Sequence, residues 1–196
     1  MLKKLLLGTT NIHKIKEFSS IFADAPFLIT HPKNENINLK VNENGLSFSE
    51  NALIKAKEFC KSSQLISIAD DSGLEIDALR GRPGIYSARY GGKKLTDDDR
   101  VELVLKQLSG IPKTKRQARF RCAIAIAWPN GKTLIEEGTL EGMIEFKQKG
   151  YNGFGYDPIF YLQKYKKTVA ELNPKEKNNI SHRAIAAKKI LLHLKT

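Results

Sequence analysis

Residues 118–128 constrain the fold more than any other stretch. Phe120, Cys122, Ile124, Ile126 and Trp128 alternate there with Arg119, Arg121, Ala123, Ala125 and Ala127. A period of two sends successive side chains to opposite faces of a strand, so one face is bulky and apolar and the other is mostly alanine. Side chains that small predict another element packed close on that face. Pro129-Asn130-Gly131-Lys132 reads as a turn, and Thr133–Ile144 is predicted to return as the hairpin partner.

Helical signals alternate with further strands, which points to an α/β or α+β class. Residues 2–8 and 65–69 read as strands. Asn11 opens a helix to about Asp24, with Ile15, Phe18 and Phe22 on one side. Residues 27–45 look irregular, with a possible short strand at 37–41. Ser47-Phe48-Ser49-Glu50 fits a capping box, followed by an apolar stripe of Ala52, Leu53, Ala56, Phe59 and Cys60. Thr96 caps a third helix that runs through Leu108, and Asp97, Asp98 and Asp99 suit its positive N-terminal pole. The last helix starts after Ser181 and turns Ala187, Ile190, Leu191 and Leu194 inward.

A chain of 196 residues is the size of one folding unit. Its 41% apolar and 28% charged content exclude disordered and collagen-like chains. No apolar run approaches the ~20 residues of a membrane span. The start, Met1-Leu2-Lys3-Lys4-Leu5-Leu6-Leu7-Gly8, is too short in its apolar part for a signal peptide and lacks a small-residue cleavage site, so it reads as a first strand. Cys60 and Cys122 lie outside any metal-type spacing and read as reduced thiols of a cytoplasmic protein. No His pairs with a Cys at zinc spacing. The net charge of +12 favours anionic partners without choosing among nucleotides, nucleic acid and acidic membranes, and it also serves solubility.

Four constellations carry candidate chemistry. Gly8-Thr9-Thr10-Asn11-Ile12-His13-Lys14 lies at a strand-to-helix junction, where backbone N–H groups, hydroxyls, an amide and a lysine form either a phosphate cradle or an ordinary helix cap. Asp70-Asp71-Ser72-Gly73 follows an apolar strand, at the strand end where α/β sheets bind ligands; one carboxylate suits Mg²⁺, and the alternative is a plain turn. Gly150 through Pro158 offers tight backbone, with Phe154 and Tyr156 as stacking surfaces and Asp157 as an acceptor, or is a structural glycine-aromatic turn. Ser181-His182-Arg183 puts cations in a helix first turn, where the dipole disfavours them; a bound anion or carbonyl-rich base, or plain solvent exposure, would account for that. Lys177 can reach the same mouth.

Taken in order, Phe48-Ser49-Glu50-Asn51-Ala52, Lys55-Ala56, Asp70-Asp71-Ser72-Gly73-Leu74, Pro83-Gly84-Ile85-Tyr86-Ser87-Ala88-Arg89-Tyr90, Gly153-Phe154-Gly155-Tyr156-Asp157-Pro158 and Ser181-His182-Arg183-Ala184 resemble signatures of the non-canonical purine nucleoside triphosphate pyrophosphatases, the Ham1-like family. The resemblance covers nearly the whole chain. It implies one domain over residues 1–196: an elongated mixed β-sheet with flanking helices, in two lobes around a central active-site cleft, assembled as a homodimer. It also implies Mg²⁺-dependent hydrolysis of inosine, deoxyinosine and xanthosine triphosphates to monophosphate and pyrophosphate, in the cytoplasm, with no nucleic-acid or membrane partner.

By matched position, the resemblance makes Asp71 the general base and a Mg²⁺ ligand. Thr9, Thr10, Asn11, Ile12, His13, Lys14 and Ser72 are expected to contact substrate. Phe154, Gly155, Tyr156, Asp157, Lys177, His182 and Arg183 are expected around the base and phosphates; separately from the resemblance, hydrogen-bond polarity calls for donors such as Arg183 or backbone N–H groups at the 6-oxo edge, which would reject adenine. Glu43 is expected as the second metal ligand, although many relatives have two adjacent acids there and Asn42 stands in the neighbouring place. Thr9-Thr10-Asn11 replaces the family's commoner Thr-Gly-Asn. Two rival readings are a Maf-type nucleotide pyrophosphatase and a nucleic-acid-binding domain; the aromatics sit in glycine loops rather than on a strand face, which speaks against the second.

Overall fold

The computed structural model describes residues 2–92 and 94–194. Among these residues seven strands form one mixed sheet: β1 (Lys3–Leu7), β2 (Phe27–Thr30), β3 (Ile66–Ile76), β4 (Gln117–Ala127), β5 (Thr133–Ile144), β6 (Phe160–Leu162) and β7 (Lys167–Thr168), in spatial order β2-β1-β3-β4-β5-β6-β7. β1 lies between β2 and β3 and is parallel to both, with Leu5 opposite Ile29 and Ile66. β6 is antiparallel to both its neighbours. Among the described residues five α-helices accompany the sheet: α1 (Ile12–Ile21), α2 (Phe48–Ser63), α3 (Asp97–Gln107), α4 (Pro174–Ile180) and α5 (His182–Leu194).

The chain divides into two compact units, and the division falls inside β3, β4 and β5. The first holds Met1–Asp71, Cys122–Gly138 and His182–Thr196. Its core packs Leu5, Leu7 and Ile68 with Phe18 and Phe22 of α1, Cys122, Ile124 and Ile126 of β4, and Ala186, Ala187 and Ile190 of α5. Ala123, Ala125 and Ala127 are buried as well, so β4 is covered on both faces there, which is the close packing that its alanines predict. Gly138 shows the same closeness on β5. A Cβ there would come within 2.2 Å of the His182 carbonyl oxygen and 2.7 Å of the Ala186 nitrogen, so α5 rests on bare backbone.

The second unit holds Ser72–Arg121 and Thr139–Ser181. Leu74, Ile76, Val101, Val104, Leu108, Phe120, Ile144, Phe160 and Leu172 are among its core residues, and the Phe120 and Phe160 rings stack 4.3 Å apart.

Several boundaries differ from the sequence reading. Residues 27–30 pair with β1 as a strand, whereas 37–41 form none. α1 ends at Ile21. α4 was not expected; Asn173 and Glu176 cap it reciprocally and Pro174 opens it. Ser47 does cap α2 by accepting from the Glu50 N–H, but Glu50 turns back to the N–H of Leu46, one residue earlier than a capping box requires. The largest difference concerns β3, which continues through Asp70, Asp71, Ser72 and Gly73 to Ile76. The acidic pair is therefore embedded in a strand, neither at its end nor in a turn.

Candidate active site

Because Asp70 and Asp71 are neighbours in a strand, their side chains leave on opposite faces and meet different partners. The Asp70 carboxylate has no solvent exposure. Its Oδ2 lies 2.9 Å from the Lys14 ammonium of α1 and 2.9 Å from Arg183 Nη2 of α5, and Arg183 Nε adds a bond at 3.2 Å. Burial alone would raise its pKa, but Lys14, Arg183 and Lys55 outweigh burial and hold it far below the usual carboxylate range. Arg183 Nη1 also reaches Glu17 Oε2 at 2.6 Å. Burial would lower the Arg183 pKa; Asp70 and Glu17 reverse that and fix the guanidinium as a cation.

The sequence reading set Arg183 at an open mouth beside the base; in the structure it lies against Asp70 and Glu17. Its side chain is 1% exposed and held by two carboxylates. A cation in the first turn of α5 is thus explained by anions of its own unit. His182 beside it is also buried.

Asp71 faces α2. Its Oδ2 accepts from Asn51 Nδ2 at 3.0 Å, and its Oδ1 lies 3.8 Å from the Lys55 ammonium. The same ammonium is 3.1 Å from Glu43 Oε1. Burial raises the Asp71 pKa, and Glu43 adds to that rise, against the pull of Lys55, Lys14 and Asn51. Asn51 and Lys55 were part of the sequence resemblance but received no role. The signal was present: they lie at i and i+4 in phase with Ala52, Ala56, Phe59 and Cys60, so two polar residues interrupt a buried stripe.

Glu43 and Asp71 therefore converge on one ammonium, and their donor chemistry fits Mg²⁺. That ion takes hard oxygen ligands, commonly one or two carboxylates, and completes its shell with phosphate oxygens and water.

The loop before α1 is more of a cap than a cradle. Asn11 Oδ1 accepts from the His13 and Lys14 N–H groups at 2.9 and 3.3 Å, and Thr9 Oγ1 accepts from the Asn11 N–H at 3.2 Å. Thr10, Asn11, Ile12 and His13 are exposed, and Thr9 is half-buried. Lys14 turns inward to Asp70.

The second unit carries the other candidates. Ser72 continues β3 and is half-buried. Gly153 has φ of 81°, and a Cβ there would collide with the Asp157 carboxylate, so only glycine fits this turn. Asp157 accepts from the Phe154 N–H at 2.9 Å and pairs with the buried Lys177, whose ammonium stands 4.7 Å above the Phe154 ring. The Gly155 N–H donates to Asp97 Oδ2 at 3.1 Å. Tyr156 departs from expectation. It is 5% exposed within the core, and its hydroxyl donates to the Ser87 carbonyl at 3.0 Å, so its ring packs the unit and offers no face for stacking. Gly155, just before it, has φ of 61°.

Comparison with known proteins adds a family. The model of the Ham1 family matches residues 5–193. The dITP/XTP pyrophosphatase of Bacillus cereus is 45% identical over 195 residues, covering 96% of this chain and 93% of that protein. The dITP/XTP pyrophosphatase of Bacillus subtilis is 45% identical over 190 residues, covering 97% and 96%. Among solved structures, the Staphylococcus aureus Ham1 protein is similar with a TM-score of 0.87 at 39% identity, and a HAM1 protein from Coxiella burnetii with 0.89 at 39%, each covering 98% of both chains.

Proposed function

This chain belongs to the Ham1 family, and on that premise we propose that it hydrolyses inosine, deoxyinosine and xanthosine triphosphates to the monophosphate and pyrophosphate. The observation that carries the reading is 45% identity, over 96% of the chain, to a protein named dITP/XTP pyrophosphatase. Water adds to the α-phosphorus, the bond to the bridging oxygen breaks, and pyrophosphate leaves. We assign Mg²⁺ as the cofactor and the cytoplasm as the place of action; among the described residues no helix is long and apolar enough to cross a membrane. A homodimer is the proposed assembly.

In this reading Asp71 takes the proton from the attacking water. Burial, with Glu43 beside it, raises its pKa, which makes it a better base than an ordinary carboxylate. Asn51 and Lys55 hold that carboxylate in place. Glu43 and Asp71 would hold Mg²⁺, which when bound offsets phosphate charge and acidifies water. Lys55 lies beside both carboxylates and is a second source of positive charge for a substrate carrying about four negative charges. Lys14 and Arg183 act through Asp70, keeping β3 in register beside Asp71. Thr9, Thr10, Asn11, Ile12, His13, Ser72, Phe154, Gly155, Asp157, Lys177 and His182 are proposed substrate contacts, and Tyr156 and Arg183 are reassigned to holding their own units together.

The test is a triphosphate panel assayed for pyrophosphate release, with Mg²⁺ and with chelator. Inosine, deoxyinosine and xanthosine triphosphates should be cleaved in preference to adenosine triphosphate and the pyrimidine nucleotides. Orthophosphate as the first product, or a pyrimidine preference, would overturn the reading.

A further inference from the structure

We infer that Asn51 is a positioning residue that ties the Asp71 carboxylate to the Glu43-bearing loop through one buried side-chain amide; the inference rests on the hydrolase reading above. Asn51 is fully buried in the second turn of α2. Its Oδ1 accepts from the Gly45 N–H at 2.9 Å, and its Nδ2 donates to Asp71 Oδ2 at 3.0 Å. A backbone N–H can only donate, so the amide oxygen must face Gly45 and the amide nitrogen must face the carboxylate. Among side chains of this size only asparagine offers an acceptor to one neighbour and a donor to the other. Aspartate would keep the first bond and set an oxygen against Asp71.

The loop end of this link is equally specific. A Cβ on Gly45 would lie 2.7 Å from Glu50 Cβ and 2.9 Å from Asn51 Oδ1, so the loop touches α2 through bare backbone. Leu46 N–H donates to Glu50 Oε2 at 2.8 Å, which fixes the next residue to the same helix. Two residues before Gly45, Glu43 meets Lys55, which lies one turn beyond Asn51 on α2. Asn51 and Lys55 thus brace the same two carboxylates: Lys55 by charge, and Asn51 by holding Asp71 directly and the Glu43 loop through its backbone. Moving either carboxylate requires breaking a bond to a side chain that also holds the other.

The experiment compares wild type, Asn51→Asp and Gly45→Ala. Steady-state kinetics on deoxyinosine triphosphate are paired with Mn²⁺ binding to the nucleotide-free protein, read by paramagnetic resonance, and with thermal melting. A hydrogen bond to a charged group is lost in Asn51→Asp, so kcat should fall roughly 10- to 100-fold while KM stays within about threefold. Gly45→Ala pushes the loop off α2 and leaves the bond to Asp71. It should weaken Mn²⁺ binding and raise the Mg²⁺ requirement, with a smaller loss of kcat at saturating metal. The inference is overturned if Asn51→Asp retains most of its kcat, or if Gly45→Ala binds Mn²⁺ as tightly as wild type. Should Asn51→Asp not fold, the Gly45→Ala metal titration decides alone. A wild type that binds Mn²⁺ but releases no pyrophosphate would sink the hydrolase reading, and the Mn²⁺ comparison would still judge the link between loop and helix.

Discussion

Replacing Arg183 with methionine keeps most of the side-chain length and removes the charge. The guanidinium lies 2.9 Å from Asp70 and 2.6 Å from Glu17, with side-chain exposures of 1% for Arg183, 0% for Asp70 and 11% for Glu17. Water cannot take over the lost role at such burial. Lys14 remains 2.9 Å from Asp70, so the aspartate keeps one cation and the damage falls short of a bare buried charge. Breaking one side of a buried ion pair costs about 3–5 kcal/mol. For a chain of this length each kcal/mol lowers Tm by roughly 2–4 °C, so Arg183→Met should melt about 6–20 °C below wild type. Scanning calorimetry at neutral pH reads this directly. Adding Asp70→Asn should return part of the loss, because it removes the charge left under-compensated. The preference for inosine over adenosine triphosphate, as a ratio of kcat/KM values, should stay near wild type in whatever fraction remains folded. A melting shift of only a degree or two with a collapsed preference would refute this reasoning and put Arg183 at the base.

Asp71→Asn should abolish turnover with a modest effect on melting, since the shape is kept and the base is lost; retention of a tenth of wild-type kcat would remove Asp71 from that role. Burial raises the pKa of metal-free Asp71 above its ordinary 3.8, so protons should begin to compete with Mn²⁺ on the nucleotide-free protein at a higher pH than an exposed aspartate would give, and Mn²⁺ binding against pH checks this. Glu43→Gln should raise the Mg²⁺ concentration required for half-maximal rate; an unchanged titration would take Glu43 off the metal. Tyr156→Phe loses one bond to the Ser87 carbonyl, so stability should fall by about 1 kcal/mol with little change in base preference.

Patterns local in sequence were legible in advance. The alternation of residues 118–128 gave β4 to within a residue, and Thr133–Ile144 matched β5. Asn11, Ser47 and Thr96 each cap the helix expected of them. What stayed hidden depends on partners distant in the chain. Asp70-Asp71-Ser72-Gly73 looks like a turn because its residues are polar, and it stays in a strand because Lys14, Arg183, Asn51 and Lys55 satisfy the carboxylates from other elements. Likewise β2 is only four residues long, too short for its apolar run to show a period, and is defined by pairing with β1. The direction of a side chain within a glycine turn was also out of reach: Phe154 and Tyr156 look equivalent in sequence, yet Tyr156 is core while Phe154 is only half-buried beside Lys177.

The contact between α5 and Gly138 has a consequence for how this protein can change. Where two elements meet through side chains, substitutions on one can be absorbed by re-packing on the other, and their spacing drifts over many small steps. At Gly138 there is no side chain to trade: the His182 carbonyl and the Ala186 nitrogen lie against main chain. The height of α5 above β5 is therefore set by atoms that mutation cannot trim. Any larger residue at 138 would lift the first turn of the helix, and with it the Arg183 guanidinium that holds Asp70. The neighbour of the proposed base is thus anchored by a position far along the sequence that touches neither carboxylate, so Gly138→Ala is a change whose damage would surface in the ion pair rather than where it was made.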